Sequence, residues 1–81
     1  MQADRAEPLI AIVDDDANVR DTLSALMRES GFDAVCCPDI PAFLALGDPP
    51  QVDLALIDLR LRGESGLTLA IHIRERYEIP I

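Results

Sequence analysis

The sequence predicts an α/β fold, a parallel sheet with helices on both faces, and three observations carry that reading. Residues 9–13, LIAIV, form an unbroken apolar run of strand length, and residues 52–57, VDLALI, form another, as expected of strands covered on both sides. Between and after them lie segments whose apolar residues recur at helical spacing. Strand-like and helix-like segments alternate in the order β-α-β-α-β-α, which right-handed crossovers turn into a parallel sheet.

The elements follow in order. A polar leader over residues 1–8 is expected to be disordered, with the folded domain running from 9 to 81. The first strand covers 9–13. A helix of about thirteen residues follows, with Val19, Leu23, Leu26 and Met27 at i, i+4, i+7 and i+8 expected to face inward. Asp16 or Asn18 would cap its start, and Gly31 sits where a left-handed closing residue belongs. Residues 32–37 read as a second short strand closed by Pro38. Residues 40–46 read as a short helix with Pro41 in its first turn and Phe43, Leu44 and Leu46 inward. The third strand, 52–57, delivers Asp58 at its carboxyl end. A polar loop with two glycines, 60–66, leads to a third helix over 67–77, with Leu69, Ala70, Ile73 and Tyr77 on one stripe. Residues 79–81 begin a fourth strand.

The 81 residues allow one small domain, which buries only about 60–65% of its unfolded surface. Nearly half the residues are apolar and about a quarter charged, which argues against a disordered chain. The net charge is −8, from seven basic residues, all Arg, against fifteen acidic ones. Such a surface argues against direct contact of this segment with a nucleic acid or an anionic membrane. With no apolar run of about eighteen residues and no signal-peptide pattern, a cytoplasmic protein is expected. Cys36 and Cys37 are adjacent and read as reduced, half-buried thiols. His72 reads as a surface or partly packed helix residue, and Arg74 and Arg76 with Glu75 and Glu78 as an ion-paired helix end.

Asp14, Asp15 and Asp16 leave the first strand, and Asp58 leaves the third. Adjacent carboxylates repel, so three in a row at a strand end need compensation. Taken alone, an acidic triplet before a helix is a cap and a partner for the helix dipole. The second βα unit, about 44 positions on, also ends in an acid, and in a parallel sheet both ends share the rim where functional crevices lie. Two or three carboxylates with a loop carbonyl and waters make an oxygen site suited to Mg²⁺ or Mn²⁺. A carboxylate beside such an ion can attack a phosphoryl group and form an aspartyl phosphate.

The stretches IAIVDDDANVR and VDLALIDLRLRGESGLTL together resemble the receiver domain of two-component response regulators, and the order and spacing of elements are similar throughout residues 8–81. The resemblance implies a flavodoxin-like parallel sheet of strand order 2-1-3-4-5, of which this chain carries the N-terminal part. It implies that Asp58 is the phosphoacceptor for a sensor histidine kinase. Asp14 and Asp15 would be the acidic pair that holds Mg²⁺ or Mn²⁺ together with Asp58 and the Arg60 backbone carbonyl. Asp16 is left as a helix cap, and Gly66 matches the glycine that opens the third helix. It implies a signalling module rather than an enzyme, joined to an output domain through which DNA contact would come.

The chain departs from the family in two respects. Arg62 stands where many relatives have proline, and the family's later hydroxyl residue, lysine and last helix are absent from these 81 residues. A sheet stopping at its fourth strand leaves an uncovered edge. The favoured expectation is a fragment of a longer protein; closure by a second copy, as a homodimer or a swapped dimer, is the other. Two further readings stay open: a haloacid-dehalogenase-like phosphatase using Asp14 and Asp16 as a DxD pair, and a degenerate receiver serving only binding or dimerisation.

Overall fold

The computed structural model describes residues 7–47, 50–58 and 66–76. The elements are β1 (Leu9–Val13), α1 (Ala17–Glu29), β2 (Asp33–Cys37), α2 (Ile40–Leu44), β3 (Leu54–Ile57) and α3 (Gly66–Arg76). The three strands form one parallel sheet in the order β2-β1-β3, as expected of a flavodoxin-like sheet. Leu9 pairs with Asp33 and Val13 with Cys37; on the other side Ile10 pairs with Leu54 and Val13 with Ile57. The remainder of the leader, residues 1–6, the loop carrying Arg60 and Arg62, and the fourth strand at 79–81 lie outside the described residues.

β1 is central and covered on both faces, which is why it reads as a continuous apolar run. Ala11 and Val13 join Cys37, Phe43, Ala55, Leu69 and Ile73 in one core beneath α2 and α3. Ile10 and Ile12 join Ala34 in a second core beneath α1, with Leu23, Met27, Leu54 and Leu56 packed against it. Each fully buried Ile or Phe contributes about 1.5–3 kcal/mol, so these two thin layers hold the sheet.

Local signals place the helices. The Asp16 carboxylate accepts hydrogen bonds from the amides of Asn18 (2.8 Å) and Val19 (3.3 Å), so Asp16 is the cap of α1 and Asn18 is not. At the other end Gly31 has φ +93°, its amide donates to Arg28 and the Phe32 amide to Met27, the paired closure that requires a left-handed residue. Asp39 caps α2 through the Ala42 amide at 2.9 Å, with Pro41 tolerated in the first turn.

Several expected faces are corrected. Leu26 is 51% exposed and Val19 37%, so the inward stripe of α1 is Leu23, Ser24 and Met27. Small Ser24 sits against the sheet with its hydroxyl donating to the Asp21 carbonyl, which lets the helix approach closely and rotates the larger residues outward. In α2, which ends at Leu44 rather than 46, Phe43 is fully buried, Leu46 packs from the turn beyond, and Leu44 is exposed. β2 begins at Asp33 and β3 at Leu54, one and two residues later than expected. The two cysteines are not alike: strand alternation buries Cys37 and exposes Cys36. Burial first, then the neighbouring Cys36 and Asp39, pushes the Cys37 thiol up to about 11. α3 runs Gly66–Arg76 with Leu69 and Ile73 buried and His72 exposed; Tyr77 lies outside the described residues.

Candidate functional site

The sheet ladder continues one step past its strands. The Asp14 amide donates to the Cys37 carbonyl at 3.0 Å and the Asp58 amide to the Val13 carbonyl at 2.9 Å. Backbone pairing thus delivers Asp14 and Asp58 to the same rim, the carboxyl end of neighbouring parallel strands. The chain then turns: one oxygen of Asp14 accepts the Asp16 amide at 2.9 Å, a tight side-chain turn that leads into α1.

Asp14, Asp15 and Asp58 are each half-buried, and each offers a carboxylate oxygen within 4.8 Å of the others. Asp16 is exposed and held at the helix cap, so the DxD pairing of Asp14 with Asp16 is not the set that the turn brings together. The Arg60 carbonyl lies outside the described residues. Beside the acids opens a pocket of about 500 Å³, walled by Ile12, Leu23, Leu56 and Ile57 and reaching Asp14 and Asp58. Three half-buried carboxylates so close together repel one another, and a cation would offset that repulsion. The donor set, oxygen only and anionic, is that of a hard divalent ion.

Three contributors escaped the sequence reading. Arg20 reaches back from α1, its Nη1 donating to the Asp14 main-chain carbonyl at 2.8 Å. Asp53 accepts the Leu9 amide at 2.7 Å and returns its own amide to the Leu9 carbonyl, fastening β3 to the far end of β1. Asp39, the cap of α2, carried a signal in its place before Ile40-Pro41; the other two carried none, because Asp53 bonds backbone brought close only by the sheet and Arg20 folds back across the turn that leads into α1.

Sheet order, covering helices and an acidic rim at the switch point define a doubly wound α/β module with its candidate site at the carboxyl edge of the sheet. The model of the response regulator receiver domain matches residues 10–81, and the chain belongs to that family. Among curated relatives it is similar to the transcriptional regulatory protein AruR of Pseudomonas aeruginosa, 41% identical over 81 residues that cover 91% of this chain and 32% of that protein. It is also similar to the sensory transduction protein RegX3 of Mycobacterium tuberculosis and of Mycobacterium bovis, 38% identical over 72 residues, covering 89% of this chain and 32% of each. The chain therefore spans about a third of the length of the curated relatives it matches. Among the described residues no helix is long and apolar enough to cross a membrane.

Proposed function

We propose that the chain is a phosphoacceptor receiver in which Asp58 takes a phosphoryl group from the phosphohistidine of a sensor histidine kinase. Asp14, Asp15, Asp58 and the Arg60 carbonyl hold Mg²⁺ or Mn²⁺ beside it. The observation that carries the reading is the approach of the Asp14, Asp15 and Asp58 carboxylates to within 4.8 Å at the carboxyl rim of β1 and β3. Membership of the receiver family supports it.

A bound divalent ion supplies charge neutralisation as phosphoryl oxygens enter an acidic pocket. Asp58 supplies the nucleophile: a carboxylate oxygen bonds to phosphorus as the P–N bond to the donor imidazole breaks, and that nitrogen keeps the electron pair and later takes a proton. The backbone holds Asp58 in place through the hydrogen bond that its amide donates to the Val13 carbonyl. Phosphorylation then biases a two-state equilibrium that an output domain reads. The name of AruR, a transcriptional regulatory protein, supports a DNA-binding output beyond this span, and the net charge of −8 supports a receiver that makes no nucleic acid contact of its own. The module is a switch rather than an enzyme, and it works in the cytoplasm.

The test is phosphorylation of the protein carrying this segment with Mg²⁺ and a small acyl phosphate, read by intact mass. One acid-labile phosphoryl group is expected, absent from Asp58→Asn. Labelling that persists in that variant rejects the assignment, and no labelling of the parent protein favours a receiver used only for binding.

A further inference from the structure

The geometry points to Arg20 as a positioning residue of the acidic site, acting through the backbone of Asp14; the inference rests on the reading that Asp14, Asp15 and Asp58 hold a divalent cation. Arg20 is the fourth residue of α1, and its amide donates to the Asp16 carbonyl at 3.0 Å, so its own backbone is fixed by the helix. The Cys36 thiol lies 3.8 Å from the Arg20 carbonyl, which ties the same turn to β2. From this anchored base the half-buried side chain returns to the rim, where Nη1 meets the Asp14 carbonyl at 2.8 Å.

That carbonyl belongs to the peptide between Asp14 and Asp15, so its orientation sets the directions in which both side chains leave the chain. The turn is held at three points: the Asp14 amide on Cys37, one Asp14 carboxylate oxygen on the Asp16 amide, and the Asp14 carbonyl on Arg20. The first two fix Asp14. The third fixes the plane that Asp15 shares, and it is a charge-assisted bond from a different element. Groups that orient the ligands of a metal in this way commonly change its affinity by 10–100-fold when removed.

Charge and position act in opposite directions here, which makes the role decidable. A guanidinium near a cation site disfavours the cation through Coulomb repulsion, so loss of the charge alone tightens binding. Loss of the clamp loosens it, because Asp15 is then free to leave the arrangement in which its oxygen faces those of Asp14 and Asp58.

The experiment is calorimetric titration of Mg²⁺ alone into the parent protein, Arg20→Met, Arg20→Lys and Asp58→Asn, with the amide NMR signals of Asp15 and Asp16 followed before metal is added. Met keeps the apolar stem and removes the donor, which guards against simple unfolding. Arg20→Met is expected to weaken Mg²⁺ about 10-fold and to shift both amide signals in the metal-free protein, and Lys, which keeps a charged donor on a long apolar stem, to restore affinity to within about 3-fold. Equal or tighter binding by Arg20→Met overturns the inference while leaving the cation site standing. If the parent protein binds Mg²⁺ no better than Asp58→Asn, the cation reading itself fails and takes this inference with it.

Discussion

The amide of Asp58 donates to the carbonyl of Val13 at 2.9 Å, one residue before Asp14. The relationship is made by main-chain atoms of adjacent parallel strands, continuing the pairing of Val13 with Ile57. The acid of β3 is therefore brought to the acids of β1 by sheet register, and a change of side chain at 58 leaves the rim in place. A slip of one residue would exchange the two faces of β3 and set Leu54 and Leu56 where Ala55 and Ile57 now pack, a size mismatch that the two cores oppose.

Asp58→Asn is accordingly expected to fold and, without metal, to be more stable than the parent. It removes one of three carboxylates whose oxygens lie within 4.8 Å of one another, and relief of that repulsion is worth on the order of 1 kcal/mol at a half-buried site. For a domain of this size that is a rise of about 4–8 °C in Tm. Thermal melts in a chelator measure it. Repeated in millimolar Mg²⁺, they should show a rise for the parent and a smaller one for the variant, because only a ligand bound by the folded state stabilises it. Equal Mg²⁺ stabilisation of both would place the ion elsewhere.

Asp16→Ala should separate the cap from the acidic cluster. The Asp16 carboxylate is committed to the amides of Asn18 and Val19, so its loss costs about 1 kcal/mol, visible as a lower urea midpoint. Mg²⁺ affinity should fall far less than in Asp15→Asn. An Asp16→Ala variant that keeps its urea midpoint but loses the metal would reverse the two roles.

What the sequence made legible was the strand signal and the rim. LIAIV and the acid after it needed only apolar continuity and the topology of parallel sheets, and Gly31 and Asp16 were readable from local helix-end chemistry. Helix faces were less legible, since α1 offers more apolar residues than its sheet can cover: Val19, Leu23, Leu26 and Met27 share a broad arc, and packing of small Ser24 chose which part of it went inward. The Asp53 bond was illegible because it joins a side chain to backbone far away in sequence, and the Arg20 bond because it folds back across the turn before α1; neither periodicity nor propensity encodes such partners.

The corrected face of α2 can be checked with a neighbouring pair. Phe43 is fully buried between β1, β2 and α3 residues, whereas Leu44 is 47% exposed. Phe43→Ala should cost about 3–5 kcal/mol, enough to unfold a domain of this size under mild conditions, and Leu44→Ala well under 1 kcal/mol. Urea titrations of the two variants decide it, and comparable losses would mean that α2 is rotated.

The two thiols should differ in reactivity and in their effect on stability. Cys36 is exposed and should react quickly with an aromatic disulfide reagent in the native protein. Cys37 is buried and should react only after unfolding, so that the thiols titrate in two phases. The pH dependence follows from the raised Cys37 value. An unfolded thiol loses its proton near the ordinary value of 9.0, whereas folding holds it to about 11, so the contribution is fully present below about 9. Between the two values the unfolded chain binds fewer protons than the folded one, and stability must fall as pH rises through that window. The loss is on the order of 2 kcal/mol across it. Urea midpoints measured from about pH 8 to about pH 11 should decline for the parent and for Cys36→Ser, and decline less for Cys37→Ala, whose lower starting stability reflects the lost sulfur and not a titration. A Cys37→Ala curve parallel to that of the parent would assign the alkaline loss to other groups and would mean that the burial of Cys37 does not oppose its ionisation.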